Sequence, residues 1–468
     1  MLFPISNSKG EPLRPAYLVG MICQMFPLLK TVSVSDGQEQ AENKRAGVRW
    51  LFSKMPQMPG KSPKEQEEFA GLYRWYLKDS YYGPLVRKLE EAAFAERPKD
   101  YLGRAVAAAL YGEISPNSAT RLEQYSACAF AHFLQYGLQL EERVEYEFKA
   151  LDMGSVMHQA LERFSEQIKE KGLSWVGIED QERDTLLRDC VEQVSAEYGN
   201  TILASNERNR YMTERIQRIL LRTVKILQAQ LKNGSFEPES FELAVEGGRI
   251  DRVDIDESDG RIWIKVIDYK TGSTSFDLAS VYHGLQLQLM IYLEAARAVE
   301  AEAHPGCEIL PAGVFYYNIR DPYVEGSLDT TPEEAQEAIA KALKMNGLVM
   351  ADVEIARRLD STFQSLPLGV TKDGRFTRYS SVATREQFTL LGDYVREKIR
   401  RSIEEIQAGN ALIQPYEWRN RTACDWCAYA GVCGFDQKIP GFSYHTLADY
   451  PDEEIWELLV QADKDNKR

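Results

Sequence analysis

Long apolar runs are absent from this sequence, and their absence excludes one class of protein. The longest uncharged stretch, residues 124–140, has 17 residues, three of them glutamine and one histidine. A membrane-spanning helix needs about 20 predominantly apolar residues, so the sequence predicts no transmembrane helix. The opening segment, residues 1–11, lacks the basic start and apolar centre of a secretory signal peptide, which predicts a cytoplasmic protein.

An excess of positive charge is absent as well. The 56 lysines and arginines are outnumbered by 71 aspartates and glutamates, so the formal net charge is −15. Such a charge argues against non-specific coating of nucleic acid, although a local basic strip can still bind DNA. With 44% hydrophobic and 27% charged residues, the 468-residue chain has a globular composition and is long enough for two or three domains.

Cysteine is scarce, and the seven cysteines do not suit a disulfide framework because their number is odd and no secretory signal is present. Three of them, Cys424, Cys427 and Cys433, lie within ten residues. This spacing indicates a metal or cluster site that needs a fourth ligand. Spacing alone leaves Cys128 and His445 as candidates and does not choose between zinc and iron. The remaining cysteines are expected to be ordinary thiols: Cys23, Cys190 and Cys307.

Hydrophobic periodicity separates a helical first part, residues 1–117, from a mixed second part, residues 118–468. In the second part, helical patterns at residues 153–168 and 211–231 come before the strand-like segments. The predicted strands are residues 241–246, 248–255, 262–269 and 313–317, with a predicted helix over residues 282–299 before the last of them. Further helices are predicted at residues 332–343 and 386–408. The order of helix, three strands, helix and strand predicts an α/β core with helical surroundings.

The most informative residues lie on two of the predicted strands. Asp268 and Lys270 are two apart, so their side chains leave the same face of the sheet. A carboxylate can bind a hard cation, and a neighbouring lysine can activate water and stabilise negative charge on phosphate. Asp251 and Asp254 are three apart and point to opposite faces, so only one can join this site, and spacing does not choose. The alternative is that these are charges at a hairpin end that face water.

Three further residues extend the possible site. His158, at the start of a predicted helix, could be a third metal ligand, although a lone histidine more often has a structural role. Gln288 and Tyr292 are four apart and share one face of an otherwise apolar helix. Buried polar side chains need partners, which an active-site network or an ordinary contact with the strands would supply.

Together these residues resemble the PD-(D/E)XK nuclease superfamily and, within it, the RecB-type nuclease family. The family pattern is His, Gly-x-x-Asp, Asp-x-Lys and Gln-x-x-x-Tyr in that order. The chain carries His158, Gly248-x-x-Asp251, Asp268-x-Lys270 and Gln288-x-x-x-Tyr292. The resemblance selects Asp251 over Asp254 and implies a restriction-endonuclease-like core.

The same resemblance implies which residues bind the metal and which perform the chemistry. The implied ligands of Mg²⁺ or Mn²⁺ are His158, Asp251, Asp268 and the main-chain carbonyl of Tyr269. The implied catalytic residues are Asp251, Asp268, Lys270, Gln288 and Tyr292. Among them, Lys270 would position the attacking water and stabilise charge on the phosphate.

The cysteines resemble those of AddB-type nucleases, which have one cysteine before the nuclease motifs and Cys-x2-Cys-x5-Cys after them. The resemblance implies a [4Fe–4S] cluster with four ligands: Cys128, Cys424, Cys427 and Cys433. The cluster would close a loop of about 300 residues, which is a structural role. One departure from the family is Ala129, which stands where the family usually has proline.

More weakly, residues 1–117 resemble the end of the helicase-like part of AddAB-type B subunits, so the chain looks like the C-terminal part of such a subunit. The resemblance implies a Mg²⁺-dependent single-strand DNA exonuclease that trims the 5′-ended strand during double-strand-break repair and recombination, with an AddA-type helicase–nuclease as partner. One alternative is a stand-alone iron–sulfur exonuclease of the CRISPR-adaptation type. The other is a nuclease-dead DNA-binding scaffold.

A basic helix face is a candidate contact for the DNA backbone. Its residues are Arg215, Arg218, Arg222 and Lys225, with Arg208 and Arg210 just upstream. The alternative is an ordinary solvated helix face.

Overall fold

The computed structural model describes residues 13–29, 43–93, 101–114, 118–141, 150–198, 207–245, 248–258, 260–326, 330–439 and 441–466. The opening segment and residue 246, predicted to end a strand, lie outside these ranges. The chain forms two compact units, Met1–Pro98 and Lys99–Arg468. In the described residues, no helix combines the length and the apolar character that a membrane crossing requires.

The first unit is helical, as its periodicity predicts. Its helices are α1 (Tyr17–Met25), α2 (Lys44–Lys54), α3 (Pro63–Leu77) and α4 (Tyr82–Ala93), with a 3₁₀ turn over Met55–Gly60. Helix α3 begins at a capping box, in which the Ser62 hydroxyl and the Glu65 carboxylate each accept a main-chain N–H of the other residue. A small core of buried side chains holds the unit together, with Leu51, Phe69 and Tyr76 among them.

The second unit is built around a six-stranded mixed sheet. Its strands, in spatial order, are β1 (Glu237–Val245), β2 (Gly248–Ser258), β3 (Arg261–Lys270), β4 (Glu308–Asn318), β5 (Asn346–Met350) and β6 (Val382–Ala383). Strands β3 and β4 are parallel, as are β5 and β6, and the other neighbours are antiparallel. The predicted α/β core is confirmed, and β5 and β6 extend it beyond the four predicted strands.

Helices surround this sheet. Before it come α5 (Arg104–Tyr111), α6 (Ala119–Ala127), α7 (Ala129–His132), a π-helical turn (Phe133–Gly137), α8 (Ala150–Glu170), α9 (Asp180–Glu197) and α10 (Glu207–Lys232). Between β3 and β6 are α11 (Leu278–His283), α12 (Gln288–Ala303), α13 (Pro332–Ala342) and α14 (Val353–Leu359). The last helices are α15 (Arg385–Gln407), α16 (Ala430–Cys433) and α17 (Asp452–Asn466). A small second sheet contains β7 (Tyr416–Trp418), β8 (Arg421–Thr422) and β9 (His445–Thr446).

One predicted helix differs in the structure. Residues 282–299 form the end of α11 and most of α12, with a turn between them. The turn begins at Gly284, whose φ of +83° caps α11 in the left-handed conformation that glycine adopts without strain. Helix α12 therefore starts at Gln288, which places Gln288 and Tyr292 at its N-terminal end.

Strand β3 lies at the centre of the core. Its residues from Ile262 to Tyr269 are nearly all buried, because α12 packs against β3 and β4 and further strands flank both edges. A strand buried in this way is fixed in register. The position of Asp268 and Lys270 at its end is therefore set by the core itself.

Candidate active site

Three acidic side chains lie in one row across β1, β2 and β3. Glu242 stands between Phe241 and Leu243, which pair with Arg252 and Ile250 on either side of Asp251. Arg252 pairs with Ile267, so continuing the register by one residue brings Asp251 level with Asp268, next to Tyr269, whose N–H it accepts. Because side chains alternate between the faces of a sheet, the three carboxylates leave the same face.

His158 joins two of these carboxylates. It lies inside α8, two turns beyond its first residue, rather than at a helix start as predicted. Its Nδ1 is 3.4 Å from Asp251 Oδ1 and 3.5 Å from Glu242 Oε1. The ligand atoms of these three residues all lie within 4.8 Å of one another. Among the described residues, this is the one set of three or more histidine, cysteine or acidic side chains that is grouped so closely. One imidazole with carboxylate oxygens is a donor set that suits a divalent cation.

The charge state of His158 reflects this acidic surrounding. Burial of the ring disfavours the imidazolium, but hydrogen bonds to Asp251 and Glu242 outweigh burial and raise the pKa of His158 to about 10. In the metal-free protein a proton therefore offsets the two carboxylates. A cation at this position would have to displace that proton.

Glu242 was missed by sequence reasoning, although it completes this group. Its φ is +46°, in the left-handed region that residues other than glycine seldom occupy. The register of β1 also shifts between Pro238 and Ser240. Strained backbone and bulges of this kind cluster at functional sites. A simple alternating strand pattern contains no signal for either feature.

Asp268 begins a second set of contacts, which leads to α12. Its Oδ2 is 2.6 Å from Lys270 Nζ, and Lys270 donates a hydrogen bond of 2.7 Å to Gln288 Oε1. The Gln288 amide in turn donates 2.9 Å to the Tyr292 hydroxyl. The structure therefore brings together all four of these predicted site residues, and it adds Glu123 of α6. The Glu123 carboxylate accepts the main-chain N–H groups of residues 287 and 288 and so fixes the start of α12.

Burial makes the Asp268 carboxyl unusual. Only 2% of the residue is exposed, and desolvation together with the charge of Asp251 raises its pKa to about 7, against the opposing effect of Lys270. Lys270 itself keeps 27% of its side chain exposed and so reaches the open side of the site. A bound cation would offset the repulsion between the ionised Asp268 carboxylate and the carboxylate of Asp251.

Asp251 has a further contact: the Tyr269 main-chain N–H donates a 2.6 Å hydrogen bond to Asp251 Oδ2. The Tyr269 carbonyl remains a predicted ligand.

Asp254 lies on the other face, as its spacing from Asp251 predicts. It is fully buried between Arg252 Nε at 2.5 Å and Lys265 Nζ at 3.1 Å. Asp254 is therefore occupied in a buried ion-pair cluster and unable to join the row.

The four predicted cluster cysteines line one small cavity. They are Cys128, Cys424, Cys427 and Cys433. The other lining residues are mostly apolar, with Phe130, Ile413 and Phe435 among them, and His445 lines a neighbouring cavity instead. Burial raises the pKa of the Cys424 thiol to about 11. The N–H of Phe435 lies 3.4 Å from Cys433 Sγ, as a donor to a thiolate would.

Four cysteine thiols around one cavity are a ligand set that either a zinc ion or an iron–sulfur cluster can use. The [4Fe–4S] cluster therefore stays a prediction.

Ion pairs occupy part of the predicted basic helix face. Arg218 Nη2 is 2.9 Å from Asp321 Oδ2, and Arg222 pairs with the same carboxylate. Arg215 and Lys225 form no ion pair with the described residues. The face therefore offers less free positive charge than its sequence indicates.

Comparison with known proteins gives one family and several relatives. Residues 116–434 match the family model of the PD-(D/E)XK nuclease superfamily. The chain is 41% identical to the B subunit of the ATP-dependent helicase/deoxyribonuclease of Lachnoclostridium phytofermentans, over 97% of this chain and 41% of that protein. Proteins of the same name from Clostridium acetobutylicum and Acetivibrio thermocellus are 32% and 31% identical, each over 98% of this chain. The chain spans about two fifths of the length of these relatives.

Proposed function

Because the chain belongs to the PD-(D/E)XK nuclease superfamily, we propose that it is a Mg²⁺-dependent exodeoxyribonuclease that acts on single-stranded DNA. The observation that carries this proposal is the row of Glu242, Asp251 and Asp268, with His158 at one end and Lys270 at the other. A scaffold without nuclease activity would have no need to keep this set of charges partly buried at a cost in stability.

Each residue has a distinct role in this proposal. His158, Glu242, Asp251 and Asp268 would hold Mg²⁺, which lowers the pKa of a bound water and offsets charge on the phosphate. The Lys270 ammonium, held between Asp268 and Gln288, would orient the attacking water and stabilise the negative charge that develops on the phosphate. Tyr292 holds the Gln288 amide, and Glu123 fixes the helix that carries both.

The inclusion of Glu242 among the metal ligands gives a direct prediction. A Glu242→Gln variant should bind Mn²⁺ roughly 10- to 100-fold more weakly, because it removes one of the negative charges beside the cation. Titration of the purified protein with Mn²⁺, followed calorimetrically, measures the effect. The control is Glu239→Gln, which removes one charge from the exposed side of the same strand. Equal Mn²⁺ affinity in the two variants would remove Glu242 from the site.

We also propose the setting in which this nuclease works. The relatives are named as B subunits of helicase/deoxyribonucleases. This supports an A-type helicase–nuclease subunit as partner, and a role in double-strand-break repair and recombination, in the cytoplasm where bacterial DNA lies. We propose that the trimmed strand is the 5′-ended one.

Strand polarity can be measured on single-stranded DNA labelled at either end. Attack from the 5′ end should release a 5′ label in short products from the first turnovers, while a 3′ label stays in long molecules. The opposite order of release would overturn the polarity while leaving the nuclease intact. Cutting of a circular single strand would show an endonuclease instead.

For the cysteines, we propose a [4Fe–4S] cluster in a structural role. Its support is the small, mostly apolar cavity that the four thiols line together. The residues joined across this cavity, Cys128 and Cys424, are 296 positions apart. The cluster would therefore tie the start of the second unit to its C-terminal segment.

A further inference from the structure

A short hairpin precedes β6 and is ordered by its own main-chain contacts. Residues 369–379, here called the basic hairpin, fold back on themselves. Thr371 N–H donates to the Arg375 carbonyl at 2.8 Å, and Thr377 N–H donates to the Gly369 carbonyl at 2.8 Å. Gly374, with φ of +75°, makes the turn. The hairpin is thus a defined structure that can present its side chains in fixed positions.

The basic hairpin presents free positive charge and one exposed ring. Lys372, Arg375 and Arg378 are exposed, and none forms an ion pair with a carboxylate in the described residues. Asp373 is the one acidic residue among them, so the segment carries a net charge of +2 in a chain of net charge −15. Tyr379 is 90% exposed. Proteins bind single-stranded nucleic acid with basic side chains that contact phosphates and with exposed aromatic rings that stack on bases.

Strand register places the basic hairpin at the same end of the sheet as the carboxylate row. Asp268 pairs with Tyr316 of β4, which pairs with Asn346 of β5. Strand β6 runs parallel to β5, so the residues just before Val382 lie at the same end of the sheet as Asn346. The basic hairpin therefore lies at the end of the sheet where Asp268 stands, three strands across from β3.

We propose that the basic hairpin binds single-stranded DNA beside the active site. Lys372, Arg375 and Arg378 contact phosphates, and Tyr379 stacks on an unpaired base. This inference rests on the proposed nuclease function and adds to it the surface that holds the strand. The predicted basic helix face is weaker in this respect, because Asp321 pairs with Arg218 and Arg222 and offsets one of their two charges.

The test compares two triple variants of the full chain with equal net charge. One is Lys372→Ser, Arg375→Ser and Arg378→Ser. The control replaces three exposed arginines that have carboxylate partners: Arg357→Ser, Arg396→Ser and Arg400→Ser. Binding of a fluorescent oligothymidylate of about 20 nucleotides, which is longer than a typical single-strand site, is measured without divalent cation across a range of salt concentrations.

The hairpin variant should bind the oligothymidylate roughly 10- to 100-fold more weakly at about 0.1 M salt. The slope of log affinity against log salt should also become shallower by about 2, since each phosphate contact contributes about 0.7. The control should keep the wild-type affinity and slope. Equal affinity and slope in the hairpin variant and the control would overturn the inference, as would failure of the wild-type protein to bind the oligothymidylate.

Tyr379 provides a second measurement that does not change charge. Tyr379→Ala should weaken binding about tenfold, whereas Tyr379→Phe should bind like the wild type because the ring keeps its stacking face. Equal binding by both variants and the wild type would overturn the stacking role.

Cleavage distinguishes this inference from the proposed function. If the wild type binds DNA through the hairpin but does not cleave it with Mg²⁺, the nuclease proposal fails and the hairpin stands. If it cleaves and the hairpin variants have an unchanged KM, the hairpin inference fails and the nuclease stands.

Discussion

Asp268→Asn should strongly reduce DNA cleavage and leave the protein at least as stable as the wild type. The loss of activity should be on the order of 100- to 1000-fold, because the variant removes a metal-binding carboxylate and the anionic partner of Lys270. Stability should not fall, because burial and Asp251 raise the pKa of Asp268 to about 7. Thermal unfolding of the metal-free proteins and a cleavage assay on the same preparations check both parts.

The sign of the stability effect follows from that pKa. The folded value of about 7 lies above the ordinary value for an aspartate, so the folded state holds its proton more tightly than the unfolded state does. Asp268 therefore contributes stability at low pH that is lost as the pH rises toward 7. The amide of the Asp268→Asn variant does not ionise and would not carry this penalty, so the advantage of the variant should grow between about pH 4 and pH 7.

Asp254→Asn provides the matched control on the opposite face of β2. Its carboxylate pairs with Arg252 and Lys265 in the core, and these two cations hold the pKa of Asp254 low despite burial. Removing it would leave buried positive charge unpaired, which costs about 3–5 kcal/mol. The folded fraction should nevertheless cleave DNA at the wild-type rate. If the two variants lose activity equally, the assignment of the site to one face of the sheet is wrong.

The second large effect should follow the loss of Cys128. A Cys128→Ser variant, purified anaerobically, should lose its iron and its visible absorbance. The second unit should also lose stability on the order of 5 kcal/mol, because a link closing a loop of about 300 residues restricts the unfolded chain. Iron analysis, the absorbance spectrum and denaturant unfolding measure the three consequences. Protease should cut the segment after α15 first, because that segment would lose its tie to α7.

Cys307→Ser is the control for this experiment, since Cys307 is partly buried and lies outside the four-cysteine cavity. It should keep the iron, the spectrum and the stability of the wild type. Zinc in place of iron in the wild-type protein would contradict the cluster. So would a Cys128→Ser variant that retains iron and unfolds at the same denaturant concentration.

The sequence predicts the central strands well because their patterns are local. The positions of Asp251 and Asp254 on opposite faces follow from strand alternation and are confirmed by the register of β2 and β3. The break before Gln288 was missed because Leu285 and Leu287 continue the apolar pattern of a helix through a turn that Gly284 starts. Strands β5 and β6 have five and two residues, too few to show a period.

Other features depend on contacts between distant parts of the chain. Glu242 of β1 lies 3.5 Å from His158 of α8, an element that is far from β1 in the sequence. Glu123 reaches the start of α12 from 164 positions away. Asp321 pairs with Arg218 from 103 positions away. The periodicity of a single sequence gives no information about such pairings. The site residues could therefore be predicted from motifs, whereas the contacts that support them could not.

The metal-dependent centre is tested by the release of labelled nucleotides from single-stranded DNA by the anaerobically purified protein, with Mg²⁺ or with a chelator. We expect release with Mg²⁺, none with the chelator, and release by Asp268→Asn with Mg²⁺ that is slower on the order of 100- to 1000-fold. Release that continues in the chelator, or that Asp268→Asn supports at the wild-type rate, would contradict a metal-dependent centre built on the carboxylate row.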